Sequence, residues 1–364
     1  MVRKPQSFLH RAAGLGLVEI MVGLAIGSFA AIVMLQVFAM SEGRKRTTTS
    51  GGDAQSNGII AFNQLQRDIS QAGYGIAALN LFNCNTTWTL GSGTTSITNP
   101  VRLAPVTINP GTIPAGDANT DTLLVVYGNT DGQPQGNNIL SQDGAKNTVQ
   151  MPTAFAVGDR VIIAPAACSS NLLIDRVTAT ATTTVTVTNA ATGTAMYNLG
   201  NSPSILAYAV RGGNLTVCDY MVNDCGKAAD KDKPSVWVPV ANNIISIKAV
   251  YWRDTKNPTG TPGSRNQTTP TDNLDWTKVC AVNLALVARS GEYSKDIVTA
   301  TARNAPQPVN APTWSDNAAA PIIGTGSLGP DAVPDEPWKH YRYKVFEAVI
   351  PIRNVGWMQG SAGC

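Results

Sequence analysis

The chain has 364 residues, 43% of them hydrophobic and 14% charged, enough to bury a sizeable core in one large or two smaller domains. Its formal charge of +3 reflects 27 basic against 24 acidic residues, and Arg3, Lys4 and Arg11 near the N-terminus account for the whole excess. Beyond them the charges balance, and nothing in that balance suggests the basic footprint of a nucleic-acid-binding protein.

The first fourteen residues, MVRKPQSFLHRAAG, are basic, lack acidic side chains and end in small residues. The stretch from Gly14 to Met40 is apolar except for Glu19 and Gln36. About 20 apolar residues suffice to cross a bilayer, and Ile20 to Met40 supplies them without Glu19. A carboxylate carried into lipid calls for a partner and a role. A secretory signal places its cleavage site after the apolar run, whereas here the small residues Ala12, Ala13 and Gly14 precede it. A cut after Gly14 keeps the span on the protein and creates an ammonium at Leu15, one helical turn from Glu19. That ammonium is the natural counter-charge for a carboxylate in low dielectric.

The run G-L-G-L-V-E resembles the type IV prepilin motif. The resemblance implies that prepilin peptidase cuts between Gly14 and Leu15, that Leu15 is N-methylated, and that Glu19 sets assembly register as the fifth mature residue. The usual phenylalanine is Leu15 here and the usual Thr or Ser is Gly16. On this reading residues 1–14 are leader, 15–42 the transmembrane half of a long helix, 43–75 its amphipathic periplasmic half, and 76–364 a β-rich globular domain.

After the span, TTTSGGD (Thr47 to Asp53) is expected to loosen the helix, because paired glycines are poor helix formers. Apolar residues then recur at Ile59, Phe62, Leu65, Ile69 and Ala72, with Gln64, Arg67, Asp68 and Gln71 on other faces. Gly73 is placed to cap the C-terminus. From Ala77 the pattern becomes β: DTLLVVYG, DRVIIAP, TTTVTVTN and SILAYAVR are short β-branched runs divided by turn residues. NIISIKAVYW, VCAVNLALVARS and RYKVFEAVIPIRN follow. Alternation of Ile245, Ile247 and Ala249 suits a sheet with one covered face, and the second half of the helix is its expected cover. Two long loops are expected, Asp254 to Asn273 and Asn304 to Pro321.

Six cysteines, Cys84, Cys168, Cys218, Cys225, Cys280 and Cys364, follow the span and read as disulfides with fifteen possible pairings. The short loop in CDYMVNDC makes Cys218 with Cys225 the simplest pair. Arg44, Lys45 and Arg46 after the span offset the basic residues before it, so the positive-inside count is a tie. The cysteines break it, placing the leader in the cytoplasm and the bulk in the oxidising periplasm.

LQRDISQAGYG, the NIISIKAVYW and WTKVCAVNLALVARS pair, and YRYKVFEAVIPIRN are similar to the minor pilin family PilW. The likeness covers about the first eighty and the last hundred and twenty residues, the middle matching only in general character. The fold class it implies is α+β: a long N-terminal pilin helix packed on a mainly antiparallel sheet domain with an enlarged β-rich insertion. The implied function is a minor pilin of a type IV pilus that primes or caps assembly and supports twitching motility and adhesion. Its partners are other minor and major pilins, prepilin peptidase and, before assembly, the inner membrane. Two alternatives stand, a type II secretion pseudopilin and a membrane-anchored periplasmic adhesin or binding module.

No catalytic residue, cofactor or metal site is expected. GTGSLG (Gly324 to Gly329) meets a nucleotide-loop spacing but is hemmed by prolines. Asp117, Asn119 and Asp121 alternate like calcium ligands, yet the glycine and distal glutamate of such a loop are missing. His10 leaves with the leader, His340 stands without a hydrolase motif, and Trp338, Tyr341 and Tyr343 suit packing or a subunit contact.

Overall fold

A computed structural model of the protein describes residues 16–76, 78, 80–90, 96–129, 135–168, 171–254, 263–271, 273–295, 297–299, 312–316 and 337–356. The chain divides into two units, Met1–Ser50 and Gly51–Cys364. Helix α1, Leu17–Gln71, contributes to both.

In the first unit α1 is apolar from its start. The expected loosening at Thr47 to Asp53 does not occur, since these residues stay helical. A glycine costs a helix only about 1 kcal/mol. A 55-residue helix tolerates that, and Thr48 Oγ1 adds a side-chain bond to Arg44 O at 3.0 Å.

In the second unit the buried stripe of α1 is Ala54, Gly58, Ala61, Phe62, Leu65 and Ile69, at helical spacing, continued by Ala72 just past its end. Ile59, expected inside, is 41% exposed. Gly58 faces the sheet instead, so close to Phe346 that a Cβ there would lie 2.0 Å from the ring. Asp68, expected on a polar face, lies on the buried stripe and is wholly inaccessible. After Gln71 the chain turns through Gly73, whose φ of +86° favours glycine and whose N–H donates to Val126 O at 2.8 Å.

The strands described are β1 (Asn85–Thr87), β2 (Val101–Arg102), β3 (Val106–Ile108), β4 (Leu123–Tyr127), β5 (Asn137–Asp143), β6 (Lys146–Val149), β7 (Arg160–Ala164), β8 (Leu172–Thr180) and β9 (Thr184–Val187). They continue with β10 (Ala195–Gly200), β11 (Ser204–Arg211), β12 (Asn214–Asp219), β13 (Val238–Asn242), β14 (Ile244–Arg253), β15 (Ser264–Asn266), β16 (Val279–Arg289) and β17 (Tyr343–Pro351). The pairing is antiparallel except between β1 and β8.

Three sheets result. β15, β14, β16 and β17 form the C-terminal sheet, and β13, β12, β11, β4 and β3 a five-stranded central sheet. Strands β5 to β10, consecutive in the chain, close on themselves because β9 pairs with β6 on one side and β8 on the other. This small barrel is an insertion between β4 and β11, which pair directly. Its interior holds Val149, Phe155, Val161, Ile163, Val177 and Met196.

The apolar run in β4 follows from burial on both faces. Leu123 and Val125 join the core shared with α1 and the C-terminal sheet, while Leu124 and Val126 join the core shared with the barrel. In β14 the expected alternation is displaced by a bulge between Ile244 and Ser246. Ile244 therefore enters the α1 core and Ile245 packs on the opposite face with Trp314. Within the expected loops, Ser264–Asn266 is a strand and Trp314 is buried; Gly324 to Gly329 lies outside the described residues.

Candidate assembly helix and its supporting domain

The most apolar stretch within Leu17–Lys45 has a mean hydropathy of 2.3, and no part of it is buried among the described residues. Leu17, Phe29 and Met34 are each more than 70% exposed. By length and composition the segment can cross a membrane. Glu19 stands in the first turn of α1, where free N–H groups favour negative charge, and its own N–H donates to Gly16 O at 3.0 Å. Ser28 Oγ donates to Ala25 O at 2.9 Å, so this hydroxyl is satisfied within the helix. Gly14 and Leu15 lie outside the described residues.

Gly23 and Gly27 are four positions apart on one helix face, and a Cβ at either meets nothing within 4 Å. Such spacing lets a second helix approach closely. Sequence reasoning passed over this pair, although the G-x-x-x-G signal was there to read.

The domain grips α1 through one buried polar group. Asp68 Oδ1 accepts from Tyr127 Oη at 3.1 Å, and Oδ2 accepts from Gln64 Nε2 at 2.8 Å and from Tyr208 Oη in a short bond. Arg67 Nε lies 3.6 Å away on the exposed side. Burial first, and then the Asp68 carboxylate, hold the Tyr208 hydroxyl far above the usual phenol range. Tyr127 is raised chiefly by burial as well.

The central and C-terminal sheets are joined by Tyr251 and Asp121. Tyr251 Oη donates to Val106 O at 3.0 Å and accepts from Ile108 N at 2.9 Å. Asp121 accepts from Ala249 N at 2.9 Å, Gln267 Nε2 at 2.7 Å and Asn109 Nδ2 at 3.0 Å. Asp117 accepts from the N–H groups of Gly212 and Gly213. Both carboxylates of the calcium-like spacing are thus occupied by N–H donors. Among the described residues no three His, Cys, Asp or Glu side chains gather as a metal site.

Disulfides join Cys84 to Cys168 and Cys218 to Cys225, with Cα–Cα distances of 5.6 and 5.8 Å. Cys280 is not free, and Cys364 lies outside the described residues. His340 is buried, its Nδ1 2.8 Å from Ser294 O and its ring stacked on Tyr293 at 4.6 Å. Trp338 and Tyr343 pack on the outer face of the C-terminal sheet, and Arg289 lies over the Tyr341 ring at 4.4 Å.

Residues 221–354 match the family model of the type IV pilus-assembly protein W, PilW. Over these residues, about a third of the chain, it is similar to the PilW family. The PilW region takes in β13 to β17, so it contains the whole C-terminal sheet and the face that receives α1. A likeness to a pilus-assembly family suggests pilus components as the general class of partner. No curated protein and no solved structure matches the chain.

Proposed function

We propose that the chain is a minor pilin of a type IV pilus, acting by assembly and not by catalysis. The observation that carries this is the conjunction of a PilW-type sheet with a helix whose apolar half has no cover among the described residues. In lipid that surface is solvated by acyl chains. In a filament it packs against the same helix of neighbouring subunits, and lipid contacts are exchanged for protein contacts.

Prepilin peptidase cuts after Gly14, and Leu15 becomes the methylated first residue. Glu19 then gives register, because its charge is neutralised only where a neighbour presents its N-terminal ammonium. Before assembly the protein sits in the inner membrane with its N-terminus cytoplasmic and its domain periplasmic. The barrel inserted between β4 and β11 enlarges the domain, which suits a priming or tip position better than a packed shaft. In that position it supports pilus biogenesis, twitching motility and adhesion.

Deletion of the gene is expected to reduce surface pili and twitching, with restoration by the wild-type chain. Glu19→Ala should reach the membrane at normal level yet fail to restore either. Full restoration by Glu19→Ala refutes the register role, and normal piliation with impaired protein secretion points to a type II pseudopilin instead.

A further inference from the structure

A cleft of about 280 Å³ opens between the β1–β2 pair, β3 and the turn Asn109 to Thr112. Two cross-strand pairs build its walls. Asn85 pairs with Arg102, and Thr107 pairs with Leu124. Val106 and Ile108 point into the α1 core, so alternation turns Thr107 to the cleft side.

The turn is held in place before anything binds. Asn109, at φ +51°, donates through its N–H to Thr122 O at 2.8 Å and through Nδ2 to Asp121. Tyr220 Oη donates to Thr112 O at 3.2 Å. Such preorganisation lowers the ordering cost of binding.

The chemistry of the lining is specific. Among the described residues that line the cleft there is no carboxylate, so none of them answers the exposed Arg102 guanidinium. Thr107 is 5% exposed and its Oγ1 has no hydrogen-bond partner, a deficit that a ligand or its water would relieve. Thr112 and Thr269 add polar groups, and Pro100 and Pro110 offer C–H surface. A lone guanidinium suits one planar carboxylate in bidentate contact. With no lysine among the described lining residues, a polyphosphate is poorly served. The volume lies near the lower limit of about 300 Å³ for small-molecule pockets, which fits a single ring.

We propose that this cleft binds one carboxylate-bearing sugar residue. Arg102 takes the carboxylate, and the amide and hydroxyl side chains around it take ring hydroxyls. The assignment rests on the cleft alone and holds whether or not the chain enters a pilus.

The test is isothermal titration of the full-length protein in detergent micelles with glucuronate, galacturonate and N-acetylneuraminate, against galactose and acetate. At least one acidic sugar should bind about ten-fold more tightly than galactose or acetate, and Arg102→Gln should weaken it by about ten-fold. Gly111→Phe is a second variant, because Gly111 lines the cleft and a Cβ there meets nothing within 4 Å. It should block binding while the circular dichroism of the domain stays unchanged. Equal binding of acetate and the acidic sugars would reduce the cleft to an anion patch. That outcome, no binding of any acidic sugar, or undiminished binding in both folded variants, overturns the proposal and leaves the pilin reading untouched.

Discussion

Tyr208 donates its hydroxyl to the carboxylate of Asp68 across 140 positions of sequence, and both side chains are fully buried. The bond ties α1 to the central sheet at the point where Tyr127 and Gln64 also converge. Asp68→Ala removes the acceptor shared by the buried Tyr208 hydroxyl and the partly buried Tyr127 hydroxyl. It should lower the unfolding free energy by about 3 kcal/mol, and Tyr208→Phe by about half as much. Urea denaturation of the full chain in micelles measures both, and a wild-type midpoint for Asp68→Ala would show that the carboxylate is dispensable.

Stability should fall in alkali. Burial raises Tyr127, Tyr197, Tyr208, Tyr220 and Tyr343, and pushes Tyr251 up to about 12. In the unfolded chain tyrosines ionise near pH 10. Above that pH the unfolded state loses protons that the folded state keeps, so the unfolding free energy decreases as pH rises. Below pH 10 these groups are protonated in both states and contribute no slope. The urea midpoint should therefore drop from pH 9 to pH 11, with these six native phenols ionising later than free ones. Ordinary titration of all tyrosines in the folded protein would contradict this.

The two disulfides should differ in weight. Cys84–Cys168 closes a separation of 84 residues and Cys218–Cys225 one of 7. Loop-closure entropy assigns about 4 to 5 kcal/mol to the first and about 2 kcal/mol to the second. Replacing each pair by serine and comparing denaturation midpoints should rank them in that order. The reverse ranking would mean that the unfolded chain does not control the effect.

Much of this architecture could be read from local pattern. The apolar run around Glu19 stood out because lipid imposes a length and tolerates few charges. β11, β14 and β16 were visible because β-branched runs bounded by turn residues leave few other choices. Closure of the barrel was not visible, since the pairing of β8 with β9 and β6 depends on partners that no single run encodes. Asp68 was misplaced for a related reason. A carboxylate at a stripe position is ordinarily a solvated neighbour of the stripe, and only Tyr127 and Tyr208, far along the chain, make its burial tolerable. Ile59 was misplaced because a glycine carries no hydrophobic signal, yet Gly58 is the residue in contact with Phe346. The cleft around Arg102 was likewise unmarked, being assembled from two very short strands and a turn.

Intact-mass and peptide mass spectrometry of sheared pili is the most direct measurement of the pilin reading. The expected result is this chain in the filament fraction, beginning at Leu15 and carrying one methyl group on its amine. A mature chain that retains Met1 to Gly14, or begins at any other residue, would contradict it.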